Sequence, residues 1–286
     1  MTKSVMVLLF LASLLLAADD GTTRVRIVRD LAYRAVPAGA PEAQAKLQSL
    51  DLYLPAQGTG FPVMVWFHGG GLEGGDKASK VTAALAQRFA SDGVAVASAN
   101  YRLSPAVQAP AYIEDAAAAV HWVAANIAEH GGDARSLFVA GHSAGGYLAA
   151  ILGADPRWLE AAGLAQDRVA GFIPVSGQTF THFTIRKERG IADPENTPVI
   201  DAYAPAYHAF RAKTLRPFLV LCGDKDWPAR AEENRFFVAM CKHRGASDIA
   251  FLQCDGRDHG SIIGRMSDAD DPAARAILAF VASHRP

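Results

Sequence analysis

A short apolar run, Leu137-Phe138-Val139-Ala140, gives way to Gly141-His142-Ser143-Ala144-Gly145-Gly146 and then to Tyr147-Leu148-Ala149-Ala150-Ile151-Leu152. The first stretch favours a buried strand and the last a helix, so the chain must reverse within a few residues. A turn that abrupt needs small flanking residues, because the strand and helix backbones nearly touch; Gly141 and Gly145 supply them. It also leaves the side chain at its apex, Ser143, standing clear at the end of the strand. A turn of this kind commits the chain to strands followed by helices that fold back over them.

That alternation recurs along the chain. Strand-like runs at 63–67, 94–99, 137–140, 172–175, 218–222 and 249–254 alternate with helix-like segments at 79–91, 113–129, 144–152, 230–243 and 272–283. Two earlier runs, 26–33 and 46–54, read as an antiparallel pair joined by a Pro/Gly/Ala-rich stretch at 37–45. The expected fold class is α/β: a mostly parallel eight-stranded sheet with helices on both faces, forming a single domain over 24–286. Residues 176–211 form the longest stretch without a clear period and carry Phe180, His182, Phe183, Tyr203 and Tyr207. This segment is expected to be a short lid insertion over a pocket, with a packed surface loop as the alternative.

An exposed serine does chemistry only with partners. Upstream, Val63-Met64-Val65-Trp66-Phe67 ends in His68-Gly69-Gly70-Gly71. Acyl transfer places negative charge on a carbonyl oxygen, and fixed backbone N–H groups stabilise it without reorganisation. The amides of Gly70 and Gly71, with that of Ala144, are the candidate oxyanion donors. His68 is expected to brace the glycine turn rather than react. A phosphate cradle is disfavoured, because no Gly-Lys-Ser/Thr ending follows the glycines. Downstream, the strand-like run at 218–222 opens into Gly223-Asp224-Lys225-Asp226-Trp227, which carries two carboxylates. The run at 249–254 opens into a loop that holds His259. Serine, acid and base would then come from the ends of three strands, where open α/β sheets bind ligands. Either Asp224 or Asp226 could reach His259, whereas the side chain of Asp258 diverges from that of its neighbour.

With these motifs in place, the chain resembles an α/β-hydrolase of the esterase/lipase group, close to hormone-sensitive-lipase-like and feruloyl-esterase-like carboxylesterases. The resemblance runs from Leu50 to the end of the chain and includes Leu50-Asp51-Leu52-Tyr53-Leu54-Pro55, Asn100-Tyr101-Arg102-Leu103-Ser104-Pro105 and Ala204-Pro205-Ala206-Tyr207-His208. It implies Ser143, Asp226 and His259 as catalytic residues and Gly70, Gly71 and Ala144 as the oxyanion hole, with the acid three residues after Gly223. His142 ahead of the serine points to a feruloyl-esterase-like or formamidase-like branch. Leu72, His142, Phe180 and Trp227 are the candidates to line the substrate pocket. The implied activity is hydrolysis of small soluble esters, of short-chain acyl, acetyl-sugar or feruloyl-sugar type, through an acyl-enzyme. Amide or formamide cleavage on the same triad is the alternative. A non-catalytic binding module is the remaining one, disfavoured because all three triad residues are present.

Other classes find little support. A net charge of −1 on 286 residues gives no electrostatic footprint for nucleic acid. No His-Glu-x-x-His or paired Cys-x-x-Cys is present, so neither a metal nor another cofactor is expected. Cys222, Cys241 and Cys254 are too few for a disulfide framework, and their odd number leaves at least one unpaired. At the N-terminus, Lys3 precedes a nearly unbroken apolar run at 5–16 and then Ala17-Ala18-Asp19. Residues 1–18 are therefore expected to form a signal peptide, with a secreted or periplasmic product and no stable membrane insertion after processing. Arg102 and Asp115 are expected to pair and hold the loop at 100–110 beside the glycine turn.

Overall fold

The computed structural model describes residues 24–35 and 42–286. The N-terminal segment expected to be a signal peptide lies outside them. Eight strands carry the fold: β1 Val25–Ala32, β2 Ser49–Pro55, β3 Phe61–Phe67, β4 Ala95–Ala99, β5 Gly132–His142, β6 Gly171–Val175, β7 Phe218–Lys225 and β8 Ile249–Asp258. Among the described residues the helices are α1 Glu42–Leu47, α2 Lys80–Ser91, α3 Ala111–Asn126, α4 Ala144–Ala154, α5 Arg157–Ala161, α6 Phe183–Glu188, α7 Pro205–Ala209, α8 Arg230–His243, α9 Ser261–Gly264 and α10 Pro272–Ser283.

The strands form one sheet in the order β1-β2-β4-β3-β5-β6-β7-β8. β2 runs antiparallel to both β1 and β4, and every other pairing is parallel. Successive side chains of a strand face opposite ways, so β3 supplies two cores. Val63, Val65 and Phe67 face α3, α4 and α8, while Met64 and Trp66 face α2 and α10. Because the central strands are covered on both faces, they are apolar throughout rather than alternating.

Several boundaries differ from expectation. The strand expected from residue 46 begins at Ser49, because Glu42-Ala43-Gln44-Ala45-Lys46-Leu47 is a run of good helix formers and closes a turn of helix instead. β5 begins at Gly132, where it pairs with Phe61 ahead of an irregularity in register. β7 and β8 continue into what read as loops: past an irregularity after Gly223, Lys225 still pairs with Asp258. This last extension positions the site, because the next residues of the two strands are Asp226 and His259.

No helix among the described residues is long and apolar enough to cross a membrane. All three cysteines are buried free thiols.

Candidate active site

The site forms along the C-terminal ends of four parallel strands. At the end of β5, Ser143 has φ +56°, ψ −116°, a left-handed conformation seldom adopted by residues other than glycine. Its amide donates to the Val175 carbonyl at 2.9 Å, and its carbonyl takes the Tyr147 amide as the first turn of α4. The sequence tolerates so sharp a turn because of Gly145, where an added β-carbon would lie 2.0 Å from the Phe67 carbonyl oxygen. Only a bare Cα lets α4 approach the end of β3 this closely.

His259 stands against Ser143, with 2.8 Å between Nε2 and Oγ. On its other side Nδ1 lies 2.8 Å from Asp226 Oδ1. An ionised carboxylate only accepts, so Nδ1 carries the proton and Nε2 is left to accept the serine hydroxyl. Burial alone would raise the Asp226 pKa, yet hydrogen bonds from His259, the Ser176 hydroxyl and the Trp227 amide hold it down at about 2. Asp224 is engaged elsewhere: its Oδ1 accepts the Arg257 amide at 3.0 Å. Asp258 accepts the amides of Gly260 and Ser261 and so ties its own loop.

Next to the serine, Gly70 at φ +116° and Gly71 at φ +65° reverse the chain after β3. The amides of Gly70, Gly71 and Ala144 donate to no acceptor among the described residues. His68 is nearly buried, donates from Nδ1 to the Gly69 carbonyl at 2.7 Å and stacks on Tyr101. Tyr101 in turn donates to the His68 carbonyl at 2.8 Å. The neighbouring loop is clamped by Arg102, whose Nε and Nη2 reach the two oxygens of fully buried Asp115 at 2.7 and 2.9 Å.

The expected pocket residues divide. Trp227 is about half exposed and its indole stacks on the His259 ring, centroids 3.9 Å apart and planes 16° from parallel. Phe180 lines a cavity beside the acid loop. Leu72 and His142 lie deeper than these two. Leu72 has no exposed surface and packs into the core. His142 is nearly buried and donates from Nε2 to the His259 backbone carbonyl at 2.8 Å. Burial, reinforced by the neighbouring His259 ring, pushes the His142 pKa down to about 3 and keeps it a neutral strut.

Ser176 is the residue that sequence reasoning missed. It directly follows β6 and, like Ser143, has a positive φ, +52°; its hydroxyl donates to Asp226 Oδ2 at 2.5 Å. Its signal was positional: a Ser-Gly pair directly after a buried parallel strand. The segment at 176–211 carries α6 and α7 and is firmly tied down. Glu233 of α8 accepts the amides of Thr179 and Phe180, and the Thr184 hydroxyl donates to the Gly71 carbonyl.

The sequence pattern of the family described as BD-FAE matches residues 50–167, which hold both glycine motifs. Esterase LipC of Mycobacterium tuberculosis is 29% identical over 213 residues, covering 70% of this chain and 53% of LipC. Among solved structures, a truncated carbohydrate esterase from gut microbiota superposes with a TM-score of 0.74 at 19% identity, covering 92% of this chain and 97% of that one. Esterase B from Lactobacillus rhamnosis superposes with a TM-score of 0.71 at 19% identity, covering 91% of this chain and 87% of that one. The chain has the α/β-hydrolase fold of these structures and carries the BD-FAE sequence pattern over residues 50–167. The chain spans about half the length of LipC.

Proposed function

We propose that the protein is a serine carboxylesterase acting on small esters by two-step acyl transfer. The observation that carries this reading is the continuous hydrogen-bonded line from Asp226 through His259 to Ser143, 2.8 Å at each step, with unengaged backbone amides beside the serine. His259 takes the hydroxyl proton as Ser143 Oγ attacks the ester carbonyl, while Asp226 holds the ring in the required tautomer. The oxyanion forms against the amides of Gly70, Gly71 and Ala144, each worth about 3 kcal/mol of barrier in comparable sites. His259 then passes the proton to the leaving alcohol, and water activated by the same ring releases the acid. Support for sugar esters as the substrate class comes from the carbohydrate esterase whose fold superposes on this chain.

The test is hydrolysis of p-nitrophenyl acetate, butyrate and octanoate by the wild type and by Ser143→Ala. Serine-dependent turnover favouring the short chains is expected. Equal rates for the two folded proteins would reject the mechanism, and serine-dependent cleavage of formanilides in place of esters would move the protein to the amidases.

A further inference from the structure

Helix α6 rests on the glycine turn. A β-carbon placed on Gly71 would lie 3.1 Å from Phe183 Cζ and 3.7 Å from its Cε2, so the end of this half-buried ring lies against the glycine. Gly71 is also one of the residues whose amide donates to no acceptor among the described residues. A carbonyl oxygen seated against that amide brings the rest of its acyl or alkoxy group close to the Phe183 ring.

The ring is held in place from several sides. The Thr184 hydroxyl donates to the Gly71 carbonyl, and Lys187 Nζ reaches Glu73 Oε1 at 2.7 Å. Glu188 Oε2 accepts the Ala109 amide at 3.0 Å and the Tyr112 hydroxyl at 3.2 Å. At the head of the helix the Phe183 amide donates to Gln178 Oε1 at 3.1 Å. His182, 2% exposed, accepts the Thr184 amide at Nδ1, and its ring neighbours those of Phe183 and Tyr147, with centroids 4.4 and 5.2 Å away. A helix tied to the glycine turn, to the loop before α3 and to α4 makes its aromatic ring a wall. Extra methylenes forced against a wall of this kind are penalised, because the packed groups behind it do not give way.

Strand order decides which part of an ester faces this wall. Along β3-β5-β6-β7-β8 the glycine turn follows β3, Ser143 follows β5 and His259 follows β8. The serine thus stands between the glycine turn and the base. In the proposed reaction His259 hands its proton to the leaving alcohol, which places the alcohol on the β8 side. The acyl chain then extends on the side of the glycine turn, toward Phe183. We infer that Phe183 is a specificity-determining residue that limits the length of the acyl chain. The inference rests on the esterase reading above and deepens it by naming the group behind a short-chain preference.

Steady-state rates of full-chain variants on p-nitrophenyl acetate, butyrate and octanoate test the assignment. Phe183→Ala should raise the octanoate-to-butyrate ratio of kcat/KM by at least about tenfold, since each methylene that finds room to be buried is worth about fourfold. Phe183→Trp should shift the profile the other way and lower butyrate relative to acetate. Opposite shifts from a smaller and a larger residue do not follow from a damaged fold. Should Phe183→Ala fail to fold, Phe183→Leu carries the same expectation with a smaller rise. An unchanged acyl profile in the folded, active variant, or a fall by one factor on all three esters, would overturn the assignment and leave the esterase reading standing. A change confined to the alcohol side, read as the ratio of 1-naphthyl acetate to p-nitrophenyl acetate, would overturn it in the same way. A wild type with no Ser143-dependent turnover of any ester would reject the esterase reading and the assignment with it.

Discussion

Asp226 shows how one carboxylate is prepared for a task by the groups around it. One oxygen accepts His259 Nδ1 and the Trp227 amide, and the other accepts the Ser176 hydroxyl. Asp226→Asn should lower kcat by about four decades, because the amide favours the wrong imidazole tautomer; steady-state kinetics on p-nitrophenyl acetate measures it. Ser176→Ala leaves Oδ2 under-satisfied without touching the ring and should cost about tenfold in kcat, since a hydrogen bond to a charged group is worth about 1.5–3 kcal/mol. Trp227→Ala removes the stacked face that restrains His259. It should lower kcat severalfold with little change in KM for a small ester, and Trp227→Phe should recover most of the loss. A fall confined to KM would assign the indole to substrate binding instead. His142 links the site to pH stability. Its pKa is depressed by burial, so the unfolded chain takes up a proton that the folded chain refuses. Folding stability from this group is full above about pH 6.5 and declines as pH falls toward 3. Asp226 adds a second loss, beginning near the ordinary carboxylate range and ending near pH 2. Denaturant unfolding at pH 7 and pH 4 should therefore differ by about 3 kcal/mol from His142 alone, and His142→Gln should flatten the slope.

At the scale of elements, the site is a consequence of strand register. Lys225 pairs with Asp258, so the acid and the base emerge side by side from β7 and β8. In the same way His142 pairs with Val175, which sets Ser143 and Ser176 abreast at the ends of β5 and β6. The turn into α4 depends on close backbone contact. Gly145→Ala would drive a methyl group into the Phe67 carbonyl, and it should destabilise the fold by about 3 kcal/mol or abolish soluble expression. The loop between β4 and α3 depends on the Arg102 clamp. Removing it leaves the Asp115 carboxylate buried with Gln48 and Arg34 as its remaining polar side-chain partners. Arg102→Ala should therefore cost about 3 kcal/mol in urea unfolding; no change in stability would reduce the pair to a surface contact.

Across the whole molecule, the layered sheet and the strand–turn–helix around Ser143 were legible in the sequence because periodicity and turn chemistry are local properties. The serine, the three glycines after His68 and the histidine in the loop after β8 announced themselves through neighbours a few residues away. The cover at 176–211 was legible only as an interruption, because its short helices have no period long enough to detect and are held by contacts from α8 and the glycine turn. The resemblance already pointed to Asp226 over Asp224, whereas the support from Ser176 and the stacking of Trp227 belong to tertiary structure alone. Each depends on strand register or on a packing distance between segments tens of residues apart. Pattern within one element constrains neither, because the same local sequence is compatible with many pairings until the sheet closes. The sequence by itself thus determined which elements form and which chemical groups are carried to their ends; packing decided which of those groups meet.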